Sequence, residues 1–240
     1  MIDGLGPIKN NSLKDVCTRR FEELILSGTL SVGEKLPPER ELAKRLGVSR
    51  PVVHEALVDL AAKGLVSMTP RIGTVVNDFR RQGSIALLTS LLEYHNGRLD
   101  SGLLEGMLNM RLLMEVENAR LAAKNRTESQ VDELKAVVRQ EAKSDPTDIE
   151  TITGLDFEFH LIIAIATGNL LYPLLLNSFK PVYTNLTQKF FQDESVVPVV
   201  FGFHKDLADA ISHRDEKAAA DTMLRMLKHG EKRLKKITSG

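Results

Sequence analysis

Apolar and polar positions alternate in two rhythms along this chain of 240 residues, and the change of rhythm divides it. In the first third the helical rhythm is short and often interrupted. Ser12 precedes a stretch where Leu13, Val16, Cys17, Phe21, Leu24 and Ile25 recur at helical spacing, which predicts a helix through about Leu26 with that stripe buried. Gly28 and Gly33 bracket a link. Pro37 and Pro38 then precede Glu39 to Leu46, and Gly47 follows, the proline-in, glycine-out asymmetry of helix ends. Ser49 stands where an N-cap belongs, and Val52, Val53, Ala56, Leu57 and Leu60 predict a second short helix that Gly64 ends. Leu65–Met68 and Thr74–Val76 read as two short strands, with Pro70 and Gly73 in the turn between them.

From Ile85 onward strand alternation disappears and long helical patterns take over, at about 84–95, 101–124, 127–143, 147–167, 170–191, 199–213 and 215–237. Asp100 or Ser101, Thr127, Asp145 and Asp215 stand as helix starts; Asn96-Gly97, Gly102, Gly154 and Gly168-Asn169 interrupt or end segments. Pro181 falls inside an apolar run and predicts a kink. The expected fold is mainly α: an N-terminal winged helix-turn-helix (three helices and a two-stranded wing) over 1–79, a polar linker at 80–84, and a C-terminal all-α antiparallel helical bundle over 85–240. A winged helix-turn-helix sends its second helix into a DNA major groove, so double-stranded DNA is the expected partner.

Composition narrows this picture without redirecting it. The 32 basic and 32 acidic residues balance, and residues 1–80 carry 12 basic against 10 acidic, too small an excess to argue for or against DNA. Cys17 is the single cysteine, which excludes an intramolecular disulfide and suits a reducing cytoplasm. No apolar run approaches the ~18 residues of a membrane helix, and the first residues lack the blocks of a signal peptide; a soluble cytoplasmic protein with no membrane partner is expected.

The chain resembles the FadR subfamily of GntR-family transcriptional regulators, whose C-terminal part is the FCD domain. The carriers are GEKLPPERELA (Gly33 to Ala43), LGVSR (Leu46 to Arg50), EAL with Leu60, and GLV with RIGTVV in the first third. In the remainder they are RLLMEVENARLAA (Arg111 to Ala123), DFEFH (Asp156 to His160), Gly168-Asn169 and HKDLADAI (His204 to Ile211). The resemblance implies a homodimeric regulator, more commonly a repressor, on a palindromic operator. It also implies that a small carboxylated metabolite bound in the helical domain controls DNA affinity.

For DNA the candidates are Arg40, Ser49, Arg50, His54, Arg71 and Gly73. Ser49 and Arg50 open the second helix, where hydroxyl, backbone N–H and guanidinium can meet a phosphate or a guanine edge. His54 follows one turn later, at a position where the family usually has arginine, so base preference should differ. Arg40 matches a family residue that contacts DNA. Arg71 and Gly73 form the wing tip, where glycine allows close approach and arginine can enter a minor groove. Taken singly, each arginine reads as an ordinary solvated surface charge; within this motif Arg40, Arg50 and Arg71 read as DNA contacts.

For the effector, Asp156 and His160 are four residues apart and share one helix face amid Phe157, Phe159, Leu161, Ile162 and Ile163. A buried acid and imidazole need partners. The resemblance implies that these two, His204 and a further histidine bind a divalent metal such as zinc, nickel or manganese, whose open positions take the effector carboxylate. Here the fourth position holds Met226, a poor ligand for such ions, and His229 lies one turn beyond. An Asp156–His160 hydrogen bond without metal is the alternative. The resemblance also makes Arg111 an effector carboxylate clamp, with a plain ion pair to Glu115 on a solvated face as its rival. Asn169 is a further effector candidate that could instead end its helix, and Tyr172 and Tyr183 could line the cavity or belong to the core. His95 and His213 read as surface or capping residues.

Two other functions stay in view. A metal-free regulator answering to an acyl-CoA would need a cavity for a long chain. A metal-dependent hydrolase would need a general base, and Glu158, the nearest carboxylate in sequence, should point away from the ligand face. No nucleotide-binding, hydrolase or metalloprotease motif is present, so an enzyme is not expected.

Overall fold

The structure is a computed structural model that describes residues 12–95 and 101–238. It forms two compact units, Met1–Asn96 and Gly97–Gly240. The expected break at Asn96-Gly97 and start at Asp100 lie outside the described residues.

In the first unit α1 spans Leu13–Leu26, and the Ser12 side chain accepts the Asp15 amide at its start. Its buried face is Cys17, Thr18, Phe21, Glu22 and Ile25, whereas Leu13 and Val16 are exposed. The expected stripe is therefore rotated. Glu22 can lie inside because Lys63 Nζ and Ser90 Oγ both reach its Oε1, at 2.5 and 2.7 Å. Helix α2 spans Glu39–Leu46 and stops at Gly47, whose φ of 67° is left-handed. Helix α3 spans Arg50–Ala62, with Ser49 at the N-cap position but making no side-chain cap bond. Val53, Ala56, Leu57 and Leu60 of α3 join Cys17, Phe21, Leu36, Leu42 and Leu65 in one core.

Strands β1 (Val66–Thr69) and β2 (Gly73–Val76) pair antiparallel, Val66 opposite Val76 and Thr69 opposite Gly73, and Lys35 bridges to Val75 on the outer side. Gly73 thus begins a strand, and residues 70–72 make the turn.

The expected linker is part of this unit. Asp78 caps the short helix α4 (Phe79–Gln82), and α5 (Leu87–Tyr94) packs on α1. Hydrogen bonds tie this segment to the end of α3 and the start of β1. Asn77 Nδ2 donates to Gly64 O and Asn77 Oδ1 accepts from Ser67, while Ser84 donates its hydroxyl to Ala62 O and its amide to Lys63 O. These bonds satisfy carbonyls that a helix end leaves open. A polar composition is what such a cap needs, and it resembles that of a linker. Gly64 is required here, since its φ is 77° and a Cβ would lie 1.9 Å from Gln82 O.

The second unit holds α6 (Ser101–Asn125), α7 (Glu128–Glu141), α8 (Ile149–Ala166), α9 (Leu171–Phe191), α10 (Val197–Ser212) and α11 (Glu216–Thr238), with a 3-10 turn at Glu194–Val196. Thr127 and Gln130 form the capping box that opens α7. Helix α8 starts from Asp148 rather than Asp145 and runs through Gly154 unbroken; Gly168, at φ 76°, follows its end. Helix α9 likewise continues through Pro181.

Ala119, Ala122 and Ala123 on α6 are fully buried and small, which lets α8 and α11 approach closely. Helix α8 is apolar nearly all round, as a central helix must be, and it packs against α6, α7 and α9. Its buried polar residues are Thr153, Asp156 and His160, while Glu150, Thr151 and Glu158 lie on its exposed side. Among the described residues no helix is long and apolar enough to cross a membrane.

Candidate DNA-binding face and candidate effector site

On the first unit the structure brings Arg50 and His54 together over a residue the sequence reading did not single out. Glu39, the first residue of α2, accepts from Arg50 Nε at 2.8 Å and from His54 Nδ1 at 2.7 Å, one carboxylate oxygen to each. Its side chain is 20% exposed, against 70% for Arg50 and 54% for His54. The His54 and Arg50 hydrogen bonds hold the Glu39 carboxyl below its ordinary range. Arg40, Ser49, Arg71 and Gly73 are exposed too. Arg71 adopts a φ of 67° and Gly73 one of 105°, so the wing turn rests on two left-handed residues, one of them a large cation. The sequence signal for Glu39 was its place inside the LPPEREL run, where it reads first as a helix-opening acid.

In the second unit Asp156, His160 and His204 meet with ligand atoms all within 4.8 Å of one another. They are 6%, 4% and 0% exposed. Each imidazole is backed by a buried carboxylate: His160 Nδ1 lies 2.5 Å from Glu115 Oε2, and His204 Nδ1 donates to Glu141 Oε1 at 2.6 Å. That leaves Nε2 as the free nitrogen of each ring, and His204 Nε2 sits 3.6 Å from Asp156 Oδ1 with no hydrogen bond of its own. The other Asp156 oxygen accepts from the Tyr183 hydroxyl at 2.5 Å. Asp156 and His160 therefore bond to different groups, not to each other.

Arg111 settles between its two readings. Its Nε does pair with Glu115 Oε1 at 2.5 Å, but on a buried face, with the guanidinium 4.6 Å over the Tyr183 ring. Burial opposes the charge on Arg111, yet the Glu115 carboxylate outweighs it and keeps the guanidinium protonated. Burial likewise opposes ionised Glu115, but Arg111 and His160 pull its carboxyl down to about 2. Burial lowers and the Glu115 charge raises His160, and the net effect is upward. Tyr183 is pushed up by burial and by Asp156, so it remains a donor.

Arg111, Asp156 and His160 line a cavity of about 50 Å³ with Thr187, Phe190 and Met226, room for on the order of four waters. Met226 is buried and faces this cavity. His229 is half-buried between the rings of Phe190 and Phe203 and does not join the ligand cluster. Asn169 corrects the expectation for it: it is exposed, its Oδ1 accepts the Leu171 amide, and it opens α9 instead of lining the cavity. Its short side chain is spent on a local backbone turn. Tyr172 packs with Phe157, Leu176 and Tyr183 as core. Glu158 is exposed, so it cannot serve a reaction at the buried cluster, and the carboxylates that are near it, Glu115 and Glu141, are held by imidazoles. Glu141 carried no sequence signal, because its partner is 63 residues away.

Residues 14–76 match the family described as bacterial regulatory proteins, gntR family, and residues 106–229 match the FCD domain. Over 224 residues the chain is 33% identical to the HTH-type transcriptional regulator Mce2R of Mycobacterium tuberculosis, covering 91% of this chain and 92% of that protein. It is also 33% identical over 224 residues to the Uxu operon transcriptional regulator of Escherichia coli, with coverages of 89% and 83%. Against the fatty acid metabolism regulator protein of Proteus mirabilis identity is 27% over 214 residues, with coverages of 89% and 87%. The solved structure of Lar, which controls expression of the Listeria monocytogenes agr system, shares the fold at a TM-score of 0.65 and 19% identity, covering 95% of this chain and 99% of that one.

The chain belongs to the gntR family of bacterial regulatory proteins, with a C-terminal FCD domain. It is a DNA-binding transcriptional regulator, not an enzyme.

Proposed function

We propose that the protein acts in the cytoplasm as a homodimeric repressor on a palindromic operator, released or retained by a small carboxylate bound in the FCD cavity through a divalent metal. On DNA, Arg40, Ser49, Arg50 and His54 serve the major groove, and Arg71 with Gly73 serves the groove beside it. Two such helices per dimer call for half-sites about one helical turn apart.

The observation that carries the metal reading is the donor set. Asp156, His160 and His204 converge, each imidazole has a carboxylate behind Nδ1, and His204 Nε2 is buried without a hydrogen bond. Carboxylate-backed histidines are the usual support of metal ligands. Formal charge points the same way. With both imidazoles neutral, as metal ligation would require, the buried cluster sets Arg111 against Glu115, Glu141 and Asp156, one positive charge and three negative. A bare carboxylate would be repelled there; a bound divalent ion supplies the two missing positive charges and open positions for an acid. Arg111 then steadies the effector side of the cavity, and Met226 leaves the metal three protein donors. The cavity's size favours a small acid over a long acyl chain. A tenfold change in operator affinity requires only about 1.4 kcal/mol of coupling between the two sites.

Elemental analysis of protein purified without a metal-affinity step tests this reading. About one tightly held divalent ion per chain is expected. No ion after incubation with zinc, nickel and manganese would remove the metal from the proposal.

A further inference from the structure

Arg50 and His54 differ in what they can offer a base, and Glu39 sets the difference. Arg50 gives its Nε to Glu39 Oε2 and keeps both terminal nitrogens, which can only donate. His54 gives its Nδ1 proton to Glu39 Oε1. A neutral imidazole carries one N–H, so a ring with its proton on Nδ1 presents a bare lone pair at Nε2. Glu39 is the most buried of the three and lies beneath the two exposed side chains, so it orients both toward solvent, where DNA would lie.

We propose that His54, held in the Nδ1–H form by Glu39, reads DNA as a hydrogen-bond acceptor: its Nε2 takes the exocyclic amino group of a cytosine or an adenine in the major groove. The inference rests on α3 being the groove-facing helix. Among major-groove base edges only cytosine N4 and adenine N6 donate, whereas guanine N7 and O6 and thymine O4 accept. An arginine at this position would donate and favour guanine. One turn of α3 therefore carries readers of opposite polarity, a donor at Arg50 and an acceptor at His54, and Glu39 is the positioning residue for both. Because the Glu39 charge offsets that of Arg50, this turn also adds little net attraction for phosphate.

Two measurements on the full-length protein test the proposal. The first is selection of bound sequences from a randomised DNA pool, for wild type, His54→Arg and Glu39→Ala. Wild type should prefer cytosine or adenine at one position in each half-site by about five- to hundredfold. His54→Arg should move the preference to guanine at that position alone, and Glu39→Ala should blunt it there and at the position read by Arg50. The second is the imidazole ¹⁵N spectrum of His54 at neutral pH, which should show a protonated Nδ1 and a bare Nε2, a pattern that Glu39→Ala should lose. Guanine or thymine preferred by wild type at the position altered in His54→Arg would overturn the proposal, as would a variant that alters no position. A wild type that selects no sequence would overturn the groove reading of α3 itself.

Discussion

Glu39 bridges Arg50 and His54 on the helix-turn-helix; Glu115 bridges Arg111 and His160 in the bundle. The arrangement is the same, with one carboxylate oxygen on Arg Nε and the other beside His Nδ1, although Glu39 hydrogen-bonds its imidazole while Glu115 meets His160 only as a close ion pair. Water separates the two cases. On the surface, Arg50 and His54 side chains are 70% and 54% exposed, so solvent screens the charges and either can exchange its contact for DNA. In the bundle, Arg111 and His160 side chains are 17% and 3% exposed, and an unmatched charge there has at most the few waters of a small cavity in place of bulk solvent. The exposed triad is suited to reading a partner, and the buried one to holding a charge in place.

Truncation should separate them most. Glu115→Ala strands Arg111 inside the bundle and should cost about 3–5 kcal/mol in denaturant unfolding. A loss below about 1 kcal/mol would mean that water in the cavity solvates the freed guanidinium as well as Glu115 does.

Acid should show the next largest contrast. The Glu115 carboxyl titrates near about 2 in the folded protein, below its ordinary 4.5. A depressed folded value stabilises above the unfolded one, and that stability is lost as pH falls from about 4.5 toward 2. The difference is on the order of 3 kcal/mol. Glu115→Gln should flatten the dependence of stability on pH in that window; an unchanged slope would assign the acid sensitivity to other carboxylates.

The smallest effect belongs to Glu39→Ala. Stability should change by about 1 kcal/mol or less, because the pair is solvated, while sequence preference on DNA falls. A stability loss as large as that of Glu115→Ala would erase the distinction between the two triads.

Local chemistry made much of the fold legible. Pro38 and Gly47 delimit α2 at the residues expected, and Thr127 opens α7 as its capping box requires. The Asp156–His160 spacing placed both on one buried face, and motif resemblance added His204 and Arg111. Departures arose wherever a distant partner decided. Glu22 turned the buried face of α1 because Lys63 and Ser90 are there to meet it. The polar run after Val76 reads as a tether but folds back to cap α3, and Asn169, though polar and beside the site in sequence, turns away to start α9.

The sequence by itself determined the two-part architecture, the helix ends and the residue types available for DNA and for a metal, because caps, turns and periodicity act over a few residues. Only the tertiary structure decided which carboxylate stands behind each imidazole. Glu141 reaches His204 across 63 residues and Glu39 reaches His54 across 15, and no periodic pattern records contacts between elements brought together by packing. Those contacts set where each histidine keeps its proton, and so whether it can bind a metal or read a base.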